Sequence, residues 1–520
     1  MIRVEQPVDY LEQKLNQFFG YTSFRRGQRE IIEDVIAGKN VLGVLPTGSG
    51  KSICYQLPAM LQDGITIVVS PLISLMMDQV KQLKAKQWKQ VAAINSFMDR
   101  KEREQVLQTL HTYRLIYVSP ELLQQEMFQN KLKTLKVSLF VIDEAHCISQ
   151  WGHEFRPDYM RLQHIITYCN YPPTLALSAT ATSKVQADII QSLGNTSFKK
   201  HIYPIDRSNI ALCVQKVDDE HDKMTVLTAI FKKYHVPALI YFSSRQKAEE
   251  IAVLLAERIN RRVAVYHGGM EQYDRISIQQ QFMNDQIDVV CCTSAFGMGI
   301  NKADIRLIIH YHLTTQLESY IQEIGRAGRD GKASVSVLLY CRKDIHLPKF
   351  IIRRELPEID ELVAVFQKLK QWYDQTKPLP LQEEELSEQL GISSQQWRFI
   401  RYQLERYAII RQSNIYFHID TWNKAYQYIS NYIEKRNKAK QSRLNQVLNW
   451  IHHTECLRKH LYKEFTPSIL SPTTDQCCSN CGFLWENWHP VQKKTPSCMN
   501  YSWREKLKQK LLIGDTYETN

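Results

Sequence analysis

Short runs of apolar, often β-branched residues alternate with amphipathic stretches over residues 1–345. Runs of this length, each followed by polar sequence of helical character, are typical of buried strands in parallel α/β sheets. The first series is NVLGVLP, ITIVVSP, RLIYVSP, LFVIDEA and PTLALSAT, and the second is ALIYFSS, RVAVYHG, IDVVCCT, IRLIIHY and SVSVLLY. The pattern therefore predicts two α/β domains in tandem, joined near residues 203–208.

The pattern changes after Tyr340, where the sequence becomes mostly helical and richer in Gln, Tyr and Trp. One helix is expected to end at Gly391, a turn to contain Ser393 and Ser394, and a second helix to run to about Tyr407. A β-rich run with a turn at residues 412–414 follows. This layout predicts a helix-turn-helix with a wing. A helical hairpin without a nucleic-acid role is the alternative.

Composition adds a class of partner to this picture. The chain has 520 residues, enough for three or four domains, and its 44% of hydrophobic residues argues against global disorder. Lys and Arg number 66 against 54 Asp and Glu, a net charge of +12. This excess favours a polyanion such as nucleic acid, although a mildly basic surface without such a partner has the same composition.

The cysteines and the apolar runs bear on the compartment. Several of the twelve cysteines lie in apolar runs, which favours reduced thiols over a disulfide framework. The first residues, MIRVEQPVDYLEQKL, carry charges throughout, so we expect no signal peptide. The chain contains no apolar run of about 18 residues, so we expect no membrane span.

A glycine-rich segment follows the first predicted strand. Gly48 and Gly50 would let the backbone turn its N–H groups inward around an anion, and the N-terminus of the following helix would face the same phosphates. Leu45 stands where the strict phosphate-loop pattern has Gly. Lys51 would supply a charge for the β and γ phosphates of a nucleotide, and Ser52 a hydroxyl for Mg²⁺. The predicted nucleotide-binding residues here are Thr47, Gly48, Ser49, Gly50, Lys51 and Ser52.

Two further motifs complete this chemistry. In 143-DEAH-146, Asp143 at the end of a buried strand is predicted to hold Mg²⁺, and Glu144 to act as the general base that activates water. In 322-QEIGRAGRD-330, Arg326 and Arg329 would share one helix face if the segment were helical. An arginine from a second domain often stabilises charge on a γ-phosphate, and it makes domain closure depend on ATP.

The ordered motifs resemble those of superfamily-two helicases and, in detail, the RecQ family, over about residues 10–345. The segment 18-FFGYTSFRRGQREII-32 resembles the family's adenine-recognition motif, with Tyr21, Arg25 and Gln28 at the contacting positions. The segment 147-CISQWGHEFRPDYMRL-162 resembles its aromatic-rich loop, which senses single-stranded DNA. The resemblance assigns DNA binding or coupling to Trp151, His153, Phe155, Arg156, Ser178 and Thr180.

The resemblance also implies an architecture and an activity. It implies two tandem RecA-like parallel-sheet domains (1–205 and 206–345), a winged helix (346–425), a zinc-binding helical module (426–485) and a tail (486–520). The implied activity is ATP- and Mg²⁺-dependent 3′→5′ movement on DNA with duplex unwinding, in DNA repair and recombination. The alternatives are an ATPase that moves on DNA without unwinding it, one that acts on RNA, and a catalytically inactive DNA-binding scaffold.

The implied surroundings are those of a bacterial helicase. Single-stranded and forked duplex DNA are the expected partners, with single-strand-binding protein and other repair proteins as further candidates. We expect a cytoplasmic, nucleoid-associated protein.

The zinc module departs from the family's usual spacing. Residues 449–465 resemble its helical part, so Cys456 is the expected first ligand, with Cys477, Cys478 and Cys481 completing a tetrahedral zinc site. The commonest spacing has a further cysteine where Leu484 stands. We expect Cys477 to replace that missing ligand, although the adjacent Cys477 and Cys478 must then both face the metal. Cys498, a nearby His, or reduced thiols without metal are the alternatives.

The order of the C-terminal elements resembles a shorter, RecS-like bacterial branch, because the helix-turn-helix precedes Cys456. An aromatic at the wing, Tyr416 or Phe417, could stack on the terminal base pair as a wedge, or belong to the core. Residues 431–465 hold eight Lys or Arg and three Asp or Glu. They could form a basic helical hairpin that follows duplex phosphates, or a solvated face.

Overall fold

A computed structural model describes residues 9–71, 73–95, 98–149, 157–194, 197–297, 302–380, 382–465 and 477–492. It contains two parallel sheets, one of seven strands and one of six, and a C-terminal region that is mostly helical. The predicted α/β tandem with a helical C-terminal region is confirmed. Every strand expected from the apolar runs is present.

The first lobe (residues 9–202) is built on a seven-stranded sheet in the order β3-β4-β2-β5-β6-β1-β7. Most of its strand residues are buried, because helices cover both faces of a parallel sheet. The strands are β1 Asn40–Val44, β2 Ile65–Val69, β3 Val91–Ile94, β4 Leu115–Val118, β5 Val137–Ile142, β6 Thr174–Ser178 and β7 Phe198–Ile202. The helices are α1 Tyr10–Phe19, α2 Gln28–Ile36, α3 Ile53–Leu61, α4 Ile73–Ala85, α5 Arg100–Gln108, α6 Glu126–Leu132, α7 Leu162–Tyr168 and α8 Ser183–Ser192.

The second lobe (residues 210–340) has a six-stranded sheet in the order β10-β11-β9-β12-β13-β8. A linker (residues 203–209) joins it to the first lobe at the predicted junction. Its strands are β8 Ile210–Lys216, β9 Ala238–Tyr241, β10 Val263–Tyr266, β11 Val289–Cys292, β12 Leu307–His310 and β13 Ser334–Tyr340. Its helices are α9 Glu220–Lys233, α10 Arg245–Arg258, α11 Gln272–Met283 and α12 Leu317–Ile324.

The C-terminal region contains the predicted helix-turn-helix and a short wing. Gly391 ends the first of the two helices in the left-handed conformation, and Ser393 caps the second through the backbone N–H of Gln396. A two-residue antiparallel hairpin follows. The elements are α13 His346–Glu355, α14 Ile359–Asp374, α15 Glu383–Leu390, α16 Ser394–Arg406, β14 Ile410–Arg411, β15 Asn414–Ile415, α17 Ile419–Ile451 and α18 Leu457–Tyr462.

Helix α17 belongs to two hydrophobic cores. Near its start, Trp422 and Ile429 pack in the core of the winged helix. Near its end, the Trp450 ring lies 4.7 Å from that of Tyr320 on α12, and its indole N–H donates to the carbonyl of Leu457 at 2.9 Å. One continuous helix therefore connects the winged helix to the second lobe.

No helix among the residues that the structure describes is both long and apolar enough to cross a membrane.

We predict that Trp450→Ala destabilises the unit formed by α12, α17 and α18. The side chain is fully buried, and removing a buried Trp costs about 3–5 kcal/mol because a cavity remains. Denaturant unfolding followed by far-UV circular dichroism should show an earlier transition. Tyr273→Ala removes an aromatic ring that is 82% exposed and serves as the control. Equal midpoints for the two variants would contradict the predicted role of Trp450.

Candidate nucleotide site and cysteine cluster

The glycine-rich segment forms a tight loop between β1 and α3, as predicted. Gly48 and Gly50 have φ of 78° and 76°, the left-handed region that favours glycine. The loop closes with a hydrogen bond from the N–H of Ser49 to the carbonyl of Pro46, and Ser52 lies at the N-cap of α3. Backbone N–H groups at a helix N-terminus suit an anion such as a phosphate.

The two acidic residues of DEAH lie at the carboxyl end of β5, beside this loop. Burial raises the pKa of Asp143 to about 7, and the neighbouring charge of Glu144 adds to the shift, whereas Lys51 opposes it. Carboxylate and hydroxyl oxygens are hard ligands that suit Mg²⁺. Asp143 and Ser52 line the same cleft and fit this ion, and a bound cation would favour the ionised carboxylate.

A hydrogen bond connects DEAH to the next strand. The Nδ1 atom of His146 lies 3.1 Å from Ser178 Oγ and 3.4 Å from Glu144 Oε2. Ser178 Oγ also accepts a hydrogen bond from the N–H of Thr180 at 3.3 Å. A change at Glu144 can therefore reach the segment after β6 through His146. Ser178 and Thr180 are both buried.

The arginine segment of the second lobe is not helical, so the helix-face interpretation is wrong. Helix α12 ends at Ile324, and residues 325–331, the arginine turn, form consecutive turns that end in a bend at Gly331. Gly328 has φ of 54°, a conformation that interrupts a helix. Arg326 and Arg329 nevertheless both line the cleft that also contains the phosphate loop.

Two glycines permit a very close approach at this cleft. A Cβ added at Gly325 would overlap Thr47 Oγ1 and lie 2.8 Å from Thr47 Cβ. A Cβ added at Gly297 would overlap the guanidinium of Arg326. The arginine turn of the second lobe therefore packs directly on the phosphate loop of the first.

The cleft gathers positive charge. Burial lowers the pKa of Arg329 to about 9, and repulsion from Arg326 and Arg207 adds to the shift. Arginines that are buried and repel one another favour an anion between them. The arrangement therefore suits the phosphates of a nucleotide bound between the two lobes.

The three residues of the adenine-motif resemblance lie at the edge of this cleft. Gln28 is buried, and its amide donates to the carbonyls of Ser49 and Gly50 at 2.9 and 3.0 Å. Arg25 donates to the carbonyl of Gly48 at 2.6 Å. Tyr21 is half exposed, with Lys86 Nζ 5.6 Å from its ring centre. In this conformation Arg25 and Gln28 hold the phosphate loop directly.

Only some of the other residues predicted to contact nucleic acid are among the residues that the structure describes. Trp151, His153, Phe155 and Arg156 lie outside the described residues. At the wing, Tyr416 is 47% exposed, with Arg411 over its ring. Phe417 packs on Trp422 at 5.0 Å and thus belongs to the core of the winged helix. Of the two wing aromatics, only Tyr416 is available to stack on a base.

The four predicted zinc ligands come together. One sulfur from each of Cys456, Cys477, Cys478 and Cys481 lies within 4.8 Å of the others, and the sulfurs of Cys456 and Cys477 are 3.6 Å apart. Four thiolates in a tetrahedron about 2.3 Å from zinc are separated by about 3.8 Å. The cluster therefore fits Zn²⁺, and the adjacent Cys477 and Cys478 both contribute. Cys498 lies outside the described residues.

The cysteine cluster is attached to the edge strand β8 of the second lobe. The N–H of Leu212 donates to the carbonyl of Cys477 at 3.1 Å, and the N–H of Val214 to Ser479 Oγ at 3.3 Å. The hydroxyl of Tyr234 donates to the carbonyl of Trp485 at 2.6 Å. The cluster therefore extends the second lobe rather than forming a separate unit.

Half of the basic residues in 431–465 are used inside the molecule. Arg436 and Lys440 pair with Glu355 of α13, and Arg443 donates to Gln316 at 3.1 Å. Arg458 is 1% exposed and contacts the linker. The exposed basic residues of this segment are therefore the other four, Lys435, Lys438, Lys459 and Lys463.

Arg207 and Asn209, two linker residues that contact the arginine turn, are functional candidates that were not predicted. No motif marked them. The only signal available was two polar side chains at the junction between the two series of strands.

Comparisons with known proteins agree with this geometry. The family model described as DEAD/DEAH box helicase matches residues 25–189, and the one described as helicase conserved C-terminal domain matches residues 222–331. The probable ATP-dependent DNA helicase RecS of Bacillus subtilis is 39% identical over 513 residues, which are 98% of this chain and 99% of that protein. The ATP-dependent DNA helicase RecQ of Haemophilus influenzae is 42% identical over 63% of this chain and 52% of its own length.

Solved structures agree on the fold. The helicase Lhr of Mycobacterium smegmatis, bound to single-stranded DNA and AMP-PNP, has a TM-score of 0.56 at 17% identity, over 81% of this chain and 61% of that one. The DEAD-box helicase Mss116, bound to single-stranded RNA and UDP-BeF, has the same TM-score and identity, over 84% of this chain and 90% of that one. With two lobes that meet at a nucleotide cleft and a full-length relative of this similarity, the chain belongs to the RecS/RecQ family of ATP-dependent DNA helicases.

Proposed function

We propose that this protein is an ATP-dependent DNA helicase that moves 3′→5′ along single-stranded DNA and separates duplexes in DNA repair and recombination. One observation carries the proposal: the phosphate loop, the DEAH carboxylates and the arginine turn of the second lobe line one cleft. A nucleotide held there touches both lobes, so its hydrolysis changes how the lobes contact each other.

Each group of residues has a part in this cycle. Lys51 and the loop N–H groups bind the phosphates, and Ser52 and Asp143 would hold Mg²⁺, which would supply positive charge beside the phosphates. Glu144 orients and deprotonates the attacking water. Arg326 and Arg329 stabilise charge on the γ-phosphate, and Tyr21, Arg25 and Gln28 bind the adenine.

DNA binding is supported by the family and by the composition. Trp151 and Phe155 are proposed to stack on bases, His153 and Arg156 to contact phosphates, and Ser178 and Thr180 to couple the lobes. Tyr416 is the candidate wedge. We further propose that the protein acts on forked DNA and interacts with single-strand-binding protein. Its proposed location is the cytoplasm, in association with the nucleoid.

The test of this function is strand separation on duplexes with a 3′ or a 5′ single-stranded overhang, in DNA and in RNA, with and without ATP. We expect unwinding only of DNA with the 3′ overhang, and only with ATP. Lys51→Ala should abolish ATP turnover while DNA binding remains, because only the phosphate contact is lost. Lys39→Ala removes an exposed lysine of the same lobe and should unwind normally. ATP turnover that DNA does not stimulate would contradict the proposal.

We predict that Trp151→Ala uncouples DNA binding from hydrolysis. ATPase activity without DNA should persist, whereas its stimulation by single-stranded DNA should fall about 10-fold or more, because base stacking is worth about 1–3 kcal/mol per base. Tyr171→Ala, which removes a 67% exposed aromatic ring of the same lobe, is the control. Unchanged stimulation in Trp151→Ala would refute the sensor role.

We predict one zinc per chain at the cysteine cluster. Elemental analysis of the purified protein should find this ratio, and Cys481→Ser, which removes an exposed ligand, should lower it. Cys169→Ala, outside the cluster, should leave it unchanged. A folded protein without metal would eliminate the zinc site.

A further inference from the structure

The linker arginine Arg207 joins the two lobes at the nucleotide cleft. Its Nη1 donates to the carbonyls of Thr47, at 2.9 Å, and Gly325, at 3.1 Å. Its Nη2 donates to the carbonyls of Ala327, at 3.2 Å, and Gly328, at 2.6 Å. One planar guanidinium therefore holds the phosphate loop of the first lobe and the arginine turn of the second.

Three of the four carbonyls that accept hydrogen bonds from Arg207 lie beside the two arginines of the cleft. Gly325, Ala327 and Gly328 are neighbours of Arg326 and Arg329 in the turn. Asn209 adds two hydrogen bonds, from its amide to the carbonyls of Gly328 and Lys332, both at 2.9 Å. The linker therefore fixes the backbone from which Arg326 and Arg329 reach into the cleft.

The backbone of Arg207 is itself held by Arg458. Arg458 Nη1 donates to Asp206 Oδ1 at 2.5 Å and to the carbonyl of Arg207 at 3.1 Å. Its Nη2 donates to the carbonyls of Ile210 and Cys477, the latter at 3.4 Å. The side chains of Asp206 and Arg458 are 0% and 1% exposed. Breaking such a buried pair leaves an uncompensated charge, so the pair resists rearrangement.

Arg458 connects this contact to the cysteine cluster. It lies in the first turn of α18, which has Cys456 at its N-cap, and it donates to the carbonyl of Cys477. Arg458 is thus two residues from Cys456 in the chain and is hydrogen-bonded to the backbone of Cys477.

We propose that Arg207 is a positioning residue for ATP hydrolysis, and that Arg458 sets its place by joining the cysteine-cluster module to the linker. This inference rests on the proposed ATPase function. Arg207 acts through the arginine turn: its four hydrogen bonds hold Arg326 and Arg329 over the phosphate loop, the geometry that hydrolysis requires.

The position of Arg207 distinguishes this role from one in folding. A buried arginine that only supports a fold donates to carbonyls of its own lobe, as Arg261 does to Tyr234 and Val236, both at 3.0 Å. Arg207 instead donates to both lobes at once, so its bonds exist in full only when the cleft is closed. Its loss should affect the closed state more than the stability of either lobe.

The experiment measures DNA-stimulated ATP hydrolysis by the full-length chain carrying Arg207→Ala, Arg458→Lys or Arg261→Lys. Displacing catalytic groups by about 1 Å can cost about 100-fold. We expect kcat to fall about 10- to 100-fold in Arg207→Ala, with KM for ATP changed less than about 3-fold, because ground-state contacts remain. Arg458→Lys keeps the positive charge beside Asp206 but loses the planar guanidinium, which donates to several acceptors at once. We expect kcat to fall about 10-fold in this variant. Arg261→Lys should match the unmodified chain.

A second measurement reports on the backbone of the arginine turn and does not depend on ATP hydrolysis. Amide hydrogen exchange at residues 325–331 should accelerate in Arg207→Ala and Arg458→Lys, and not in Arg261→Lys. Unchanged kcat and exchange in Arg207→Ala would overturn the inference. If the unmodified chain does not hydrolyse ATP, the proposed function fails, while the exchange result still decides whether Arg207 and Arg458 hold the turn.

Discussion

The backbone of the arginine turn lies against the phosphate loop with no room for a side chain at Gly325. Everything the cleft can do depends on this approach, since Arg326 and Arg329 follow within four residues. A cation on a long side chain could reach a phosphate from many backbone positions. Here Gly325 lies directly against the side chain of Thr47, so the orientation of the lobes determines where the cations lie.

Burial gives the site its electrostatic character. Asp143 has its pKa raised and Arg329 has its pKa lowered because both are removed from water. A magnesium–nucleotide complex would supply the opposite charge to each at once, the cation to the carboxylate and the phosphates to the guanidinium. Occupation of the cleft and closure of the lobes therefore support each other.

Local patterns were sufficient to predict most of the fold and the position of several candidate site residues. Buried strands, Gly48 and Gly50 in left-handed backbone, and carboxylates at the end of β5 all follow from a few adjacent residues. The grouping of Cys477 and Cys478 with Cys456 and Cys481 was expected from the family resemblance, although the cysteine spacing differs from that of the family. These features need no knowledge of which distant segment lies nearby.

The features that the sequence did not reveal depend on long-range contacts. The approach of Gly325, which follows the end of α12, to Thr47 of the other lobe could not be predicted from neighbouring residues, and Gln28 donates to loop carbonyls more than twenty residues away. Arg436 and Lys440 pair with Glu355, about 80 positions earlier, so counting charges could not show that they are unavailable to DNA. Arg207 belongs to no pattern, because its four acceptors come from two different lobes.

Helix α17 spans about 50 Å, at about 1.5 Å per residue over its 33 residues. Its far end is embedded in the second lobe, while the winged helix at its near end also touches the first lobe through Arg161 and Glu405, 2.9 Å apart and partly exposed. An exposed ion pair is weak, whereas the Trp450 packing is buried. If the second lobe rotates against the first, helix α17 would move the winged helix together with the second lobe. Because the helix is long, a small rotation of the lobe would displace the winged helix by a larger distance. The ion pair between Arg161 and Glu405 would break before the Trp450 packing does.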